Sequence, residues 1–537
     1  MDNQKTILAV ALAVVVFLLF QAWQEQNAPK PVTPIAVRQS VTTPSTPTSA
    51  VATSAAVVTG PMVAPVSTGL QLATGPTVSF QTQVFTGQIG LNGGDIQQLG
   101  LRRYPQAVDN PAPYPILDRA AAKLTVQQSG FVSSDGQTLV AQFAVPAVPA
   151  VRRADGQPIT LIGKAGPLSV EKTWIFQPDS YVVDEHITIT NSGSTAWNGS
   201  YFDQILRNDR AESHMFMSIF TGAVLMHQGN FSEVSFGDIH DHPELKSGPG
   251  WAGMMDHYFL TAIVPAQHAQ SQVYTRPSGT NYVAGVSTLL PTLAPGQSTT
   301  ITQQLFLGPK QQQTLVAMGN GLEQTVDYGW FAIIAEPMHV VLTWFHGLVG
   351  NWGLAIILLV IVVKFIFFYP SAISYRSMAN MRKLQPKLEK LKKEVGDDRQ
   401  KLGAAMMELY RSEKVNPMAG CLPIVLQMPF FIALYWVLVE SVSLRQAPFI
   451  LWIHDLAIPD PYYILPLLMG VSMFFQQRLN PAPVDPMQKR IMSALPVIFA
   501  VFFSFFPAGL VLYWLTNNVV SIGQQYLITR HIMAAKD

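Results

Sequence analysis

Apolar positions follow two regimes along this chain. Over residues 70–322 they come in short runs such as TVSFQTQVF, LSVEKTWIF, YVVDEHITIT and TTITQQLFL, where apolar and polar residues tend to alternate. Turn signals separate the runs: NGG at 92–94, DG at 155–156, NSGS at 191–194 and APG at 294–296. Many short strands joined by Gly- and Pro-bearing turns predict an all-β sandwich. The segment is far longer than the ~100 residues of a simple sandwich, so an enlarged one is expected.

Over residues 350–530 the apolar runs are too long for strands. The stretch 351–370, NWGLAIILLVIVVKFIFFYP, can cross a hydrocarbon core of roughly 30 Å as a helix. Further apolar segments follow at 420–440, 460–477, 491–506 and 508–528. The last two, read as one helix, would measure roughly 57 Å at 1.5 Å per residue, too long for a single span. The FPAG break at 506–509 divides them. An N-terminal run from Thr6 to Phe20, with no clear cleavage site after Trp23, reads as an uncleaved anchor over 1–23. Six spans result: a polytopic helical bundle with a five-helix core. Residues 24–69, rich in Pro, Thr, Ser and Ala, read as a disordered linker.

The segment 323–349 needs separate treatment. Glu336, His339, Thr343 and His346 share one helical face, opposite Trp330, Phe331, Ile334, Val341 and Phe345. That pattern predicts an amphipathic helix lying in the membrane interface.

Charge sets the orientation. The segment 371–418 carries Arg376, Arg382, Lys383, Lys387, Lys390, Lys392, Lys393, Arg399, Lys401, Arg411 and Lys414, and is cytoplasmic by the positive-inside rule. Met378, Met381, Leu384, Leu388, Leu391 and Val395 form a helical seam. Gly396 stops that helix, Asp397 with Gln400 resembles a capping box, and Leu402, Met406 and Leu409 continue the stripe. A basic helical hairpin of coiled-coil type is predicted, either simply solvated or docking anionic lipid or ribosomal RNA. Both termini then lie in the cytoplasm and the β-domain on the far side.

Composition agrees. Of 537 residues, 49% are hydrophobic and 12% charged, the latter about half the ~25% of a soluble domain. A net charge of +1 gives no global basic field for DNA, and the single cysteine, Cys421, excludes a disulfide framework and a cysteine-based zinc site. No nucleotide-binding glycine motif, nucleophile elbow or HExxH occurs, so neither an enzyme nor a cofactor is expected. Asp238, His240, Asp241, His242 and Glu244 cluster without metal-ligand spacing and read as an incidental polar loop. His257 reads as a packed core histidine.

One residue breaks the membrane pattern. Lys364 lies inside the 351–370 run, where a charge costs at least ~2.5–3.5 kcal/mol. Asn517, Ser521, Gln524 and Gln525 form a polar stripe on the last helix, and Gln427, Ser472, Gln476 and Gln477 add polar groups on its neighbours. These would solvate an ammonium without neutralising it, and no mid-membrane acid is available; Glu440 is near the outer end of its helix. A hydrated polar cavity is one reading. Snorkelling of Lys364 to the inner surface is the other, since it lies about 9 Å from Pro370 along the helix.

Three segments carry a family resemblance: EKVNPMAGCLPIVLQMPFFIALYWVL (413–438), QAPFILWIHDLAIPDPYYILPLLMG (446–470) and DPMQKRIMSALPVIFAVFFSFFPAGLVLYW (485–514). They closely resemble the YidC/Oxa family of membrane protein insertases, in the Gram-negative form with a large periplasmic domain. The resemblance implies a β-supersandwich outside and a five-helix core whose hydrophilic groove opens to cytoplasm and lipid. It implies a conserved groove cation, usually Arg, at the position of Lys364, fourteen residues before Met378. Together with the polar residues read above, it puts Lys364, Gln427, Gln477, Asn517, Ser521 and Gln525 in the groove, and it implies an apolar slide for the client helix at Pro423, Met428, Phe431, Phe502 and Phe506. Implied partners are nascent membrane proteins, the Sec translocon, the ribosome and membrane lipids, at the bacterial inner membrane. Two other classes stand beside this reading: a polytopic transporter or channel, and a membrane-anchored carbohydrate-binding protein.

Overall fold

The computed structural model describes residues 75–144, 151–209, 219–396, 399–413, 415, 422–480 and 486–534. The expected anchor and linker lie outside the described residues, as do Cys421 and the Asp397 of the capping box.

Residues 75–309 form three sheets of five, nine and six strands. In the strand Leu168–Phe176, alternation buries Leu168, Val170, Lys172, Trp174 and Phe176. It pairs antiparallel with Val182–Asn191, which in turn pairs with Ser298–Pro309. The inward position taken by Lys172 breaks the apolar rule. Its Nζ lies 2.9 Å from Glu185 Oε1 and 3.4 Å from Asp95 Oδ1, and donates to Ser129 Oγ at 3.0 Å. Asp203 adds a third buried carboxylate, accepting from Gln127 Nε2 at 2.8 Å and from Gln303 Nε2. Burial pushes the Lys172 ammonium down, but the surrounding carboxylates outweigh it and hold the group well above the usual lysine value. Burial, then the nearby Glu185 charge, pushes Asp203 well up.

The remainder is helical. We label α1 (Ala332–Val349), α2 (Trp352–Ile366), α3 (Phe368–Val395), α4 (Arg399–Ser412), α5 (Leu422–Glu440), α6 (Ile464–Leu479), α7 (Pro486–Phe503) and α8 (Ala508–Ala534). The central α8 packs on α6, α2 and α3, and α7 packs on α6. Gly470 permits the α6–α7 approach, since a Cβ there would meet Ala500 Cβ at 2.9 Å. The α7–α8 division falls at the FPAG break, as expected.

By length and composition, one straight helix among the described residues, Gly329–Val349, can cross a membrane, while α2 and α3 qualify only as a pair. The expected span 351–370 does not run straight: α2 stops at Ile366 and α3 starts at Phe368, bent by 70°. Pro370 explains the break. It has no N–H for the carbonyl of Ile366, but it is well tolerated in the first turn of a new helix.

The helix α1 also departs from the pattern read in sequence. Ala335, Met338 and Leu342 face the protein, and the outermost positions are mostly apolar: Ile333, Val340, Trp344 and Leu348, with Trp330 in the turn just before the helix. His339 and Thr343 turn inward, lining a small cavity with Lys310 and Glu440. Glu336 stays exposed, but an outer face that is otherwise largely apolar, with His339 and Thr343 turned inward, suits a helix beside lipid.

The two halves are joined by polar clamps. Lys310 Nζ donates to Glu440 Oε2 at 3.1 Å and Thr325 O at 3.2 Å. Arg445 donates to Pro105 O and Gln106 O, both at 2.8 Å. His257 is not in the β-core: it sits in the turn between two strands, where its Nε2 lies 2.9 Å from Val439 O at the end of α5. The run MDHYFL looked strand-like because its apolar residues flank a turn that reaches the other half. The Asp238–Glu244 segment is a short capped helix, Phe236–Asp241, plus an exposed His240–Asp241 pair at 3.0 Å.

Candidate client-binding groove

Four helices place the polar residues together. On α8, Asn517, Ser521 and Gln525 recur every four residues and so share one face. That face reaches Lys364 on α2, Gln427 on α5 and Asn480 just after α6. The bend after Ile366 puts Lys364 in the last turn of α2 rather than mid-helix. An ammonium near a helix C-terminus is favoured by the unpaired carbonyls there, worth about 0.3–1 kcal/mol.

Lys364 is buried, 5% exposed. Its Nζ donates to Ser521 Oγ at 2.7 Å and to Gln427 Oε1 at 3.0 Å. The network continues: Gln427 Nε2 donates to Asn517 Oδ1, and Ser521 Oγ donates to Asn517 O at 2.7 Å. Among the described residues every acceptor on the ammonium is neutral, so its charge is solvated and not cancelled. Such linked bonds polarise and strengthen one another.

These groups line a cavity of about 330 Å³. It brings together all six expected groove residues, Lys364, Gln427, Gln477, Asn517, Ser521 and Gln525, with Met428 and Phe431 of the expected slide. Gln477 donates to Met492 O at 2.7 Å, and Gln525 to Asn480 Oδ1 at 3.0 Å. Phe502 and Phe506 are not among its lining residues: Phe502 is 39% exposed, whereas Phe506 is buried and packs against it at 4.8 Å between ring centroids. Phe506, expected in the slide, is therefore covered and offers little surface to a client helix. Pro423 begins the second position of α5.

Sequence reasoning missed Tyr375, Tyr513 and Trp514 in this lining. Aromatic residues in an apolar helix look like core, and only their i, i+4 spacing to the polar stripe, as with Tyr513 and Asn517, could have flagged them. The basic residues Arg382, Lys383, Lys387, Lys390, Lys392 and Lys393 all lie on α3, away from the cavity lining. There Leu384 and Leu388 form the buried seam with α4, and Lys387 pairs with Glu413 across the hairpin.

The chain was compared with known proteins. A family model described as the YidC periplasmic domain matches residues 77–341, and one described as 60Kd inner membrane protein matches 344–536. The membrane protein insertase YidC of Nitrosococcus oceani is 45% identical across 99% of this chain and 99% of its own length. That of Thioalkalivibrio sulfidiphilus is 41% identical across 100% and 99%. A crystal structure of an active YidC insertase aligns with 85% of this chain and 93% of that chain, at 17% identity and a TM-score of 0.39. Identity at this level along the whole length settles the matter: the chain belongs to the YidC family and is a membrane protein insertase.

Proposed function

We propose that the cavity around Lys364 is the groove through which this insertase receives a client's hydrophilic segment. The observation that carries the reading is the ammonium bound, among the described residues, to the neutral acceptors Gln427 and Ser521. A cation kept near a membrane without a counter-ion is costly, and its retained charge is available to an acidic client segment. Polar side chains and water in the groove lower the desolvation cost of that segment. The membrane potential then assists its export by ~2.3 kcal/mol per negative charge per 100 mV. The client's apolar helix leaves sideways past Met428, Phe431 and Phe502, toward lipid. No step hydrolyses a nucleotide.

In this reading the β-domain lies in the periplasm as a supersandwich and both termini are cytoplasmic. Residues 1–23 anchor the chain, 24–69 link it, 323–349 lie at the outer interface, and five further spans build the core. The basic α3–α4 hairpin meets the ribosome or anionic lipid, and the Sec translocon supplies some clients.

The test is water access. A Lys364→Cys variant in a Cys421→Ser background should react with a membrane-impermeant maleimide added on the cytoplasmic side. A residue 364 that stays unlabelled while the folded protein is otherwise intact sinks the groove.

A further inference from the structure

The walls of the cavity around Lys364 differ in kind from its polar stripe. Of the seventeen described residues that line it, four are methionine: Met378, Met428, Met473 and Met492. The whole chain holds 20 methionines in 537 residues, so the lining is enriched about sixfold. Its other apolar groups are aromatic rings, and no Leu, Ile or Val is among the described lining residues. The surrounding helices do not force this choice. In α5, LPIVLQMPFFIALYWVLVE, one methionine stands among nine Leu, Ile and Val, and it is the methionine that reaches the cavity.

The four side chains come from four helices, α3, α5, α6 and α7, and so surround the stripe of α8. None of them is fully buried, and Met428 is 43% exposed, so their surfaces are open to whatever occupies the space. Met469, one turn before Met473 on α6, is fully buried in the core instead. The two parts of the lining would respond differently to an occupant. The polar side chains hold one another: Lys364 is bonded to Ser521 and Gln427, and Asn518 Nδ2 donates to Ser472 Oγ at 3.1 Å. A methionine is unbranched, has three rotatable bonds and a polarizable sulfur, and re-packs to fill irregular gaps. A β-branched residue in its place would be confined at χ1 and would hold one shape.

We infer that Met378, Met428, Met473 and Met492 set the breadth of client selection, a role that rests on the groove reading and deepens it. They form an adaptable wall that admits side chains of differing bulk where a client's hydrophilic tail meets its apolar helix. Surfaces that accept several partners use re-packing of this kind. The fixed ammonium selects for charge, and the methionines keep the groove from selecting for shape.

The full chain in proteoliposomes tests this by protease protection, with two clients that share an acidic tail and an apolar helix. They differ only at three junction residues, all Ala in one and all Phe in the other. Met378→Ile, Met473→Ile and Met492→Ile combined keep the wall apolar but stiffen it. The ratio of Ala-client to Phe-client insertion should rise at least tenfold over the parent's ratio. Should thermal unfolding show that the triple variant does not fold, Met473→Ile and Met492→Ile alone should each raise the ratio about threefold. Met407→Ile, 51% exposed on α4 and outside the lining, should leave it unchanged. An unchanged ratio in the folded lining variants overturns the inference, as does an equal rise in Met407→Ile. Lys364→Glu, run with acidic- and neutral-tailed forms of the Ala client, separates the two levels. If it loses the acidic form selectively while the lining variants keep the parent's ratio, the groove stands and the role of the methionines falls. If it spares the acidic form, the groove reading falls and this inference with it.

Discussion

Reversing the groove charge is the most direct perturbation of the proposed mechanism. Lys364 Nζ has two neutral acceptors, so a client carboxylate would meet an uncancelled charge. At a contact distance of 4 Å two unit charges attract by about 1 kcal/mol in bulk water and about 4 kcal/mol at an effective dielectric of 20. The 330 Å³ cavity has room for about ten waters at ~30 Å³ each, which places it between those limits. An intermediate value of about 2 kcal/mol per acidic residue is roughly thirtyfold in partition. Lys364→Glu turns this attraction into a repulsion of similar size. The swing is about 4 kcal/mol, close to a thousandfold before background insertion sets a floor.

The assay is protease protection in proteoliposomes, with three clients that share one apolar helix and carry an acidic, a neutral or a basic tail. Lys364→Glu should reduce insertion of the acidic-tailed client at least thirtyfold. The neutral-tailed client should change less than about threefold, because its apolar helix supplies the driving force. Lys364→Arg should insert all three, since charge is kept and only the hydrogen-bond fork differs. If Lys364→Glu inserts acidic and neutral clients with the same relative efficiency as the parent, attraction by this cation is not how the groove works.

Other outcomes follow from the same contacts. Ser521→Ala removes a charge-assisted bond of about 1.5–3 kcal/mol to Lys364 and should lower thermal stability in micelles while Ser521→Thr does not. Lys310→Met strands Glu440, 10% exposed, at the junction of the two halves, and should cost about 3–5 kcal/mol in denaturant unfolding; the swap Lys310→Glu with Glu440→Lys should recover part of it. In the β-domain, the raised Asp203 group contributes stability that is complete below the unfolded carboxylate value and is lost as pH rises through its folded value. Asp203→Asn should therefore flatten the loss of stability with rising pH, measured as hydrogen-exchange protection of the strand Gly199–Asn208 in the full chain. Replacing Lys390 and Lys393 with Gln should reduce the salt-dependent part of ribosome or anionic-vesicle binding and leave client insertion without ribosomes unchanged.

Much of the architecture was legible because it is written in periodicity. Alternation marked strands such as Leu168–Phe176, and the FPAG break marked the α7–α8 turn. The polar groove residues were legible because neutral polar side chains at i, i+4 and i+8 of an apolar helix have few reasons to be there. Three things were not legible, each for a physical reason. The α2–α3 bend depends on a missing amide at Pro370, which a count of apolar residues does not register. The outward apolar face of α1 was hidden because helical spacing groups His339 and Thr343 with Glu336, whereas tertiary packing turns the first two inward and leaves Glu336 exposed. The buried Lys172 cluster draws its acids from Asp95, Glu185 and Asp203, which no local pattern connects.

The bend changes how the cost of Lys364 is met. In a straight span 351–370 the ammonium would lie deep in the helix, and the choice would be between a hydrated polar cavity and snorkelling. With α2 ending at Ile366, Lys364 occupies the last turn, where helix carbonyls favour a cation, and two side-chain acceptors complete its solvation. A carboxylate at Gln427 or Ser521 would stabilise the ammonium more but cancel its field, and a client's acidic tail would then gain nothing on entry. Neutral solvation keeps the cation affordable and still attractive. Gln427→Glu therefore makes a sharp contrast with Lys364→Glu. It should raise the melting temperature or leave it unchanged, yet depress insertion of the acidic-tailed client about as strongly as removing the charge, as in Lys364→Met. If Gln427→Glu inserts that client normally, the neutrality of the shell around Lys364 has no functional role.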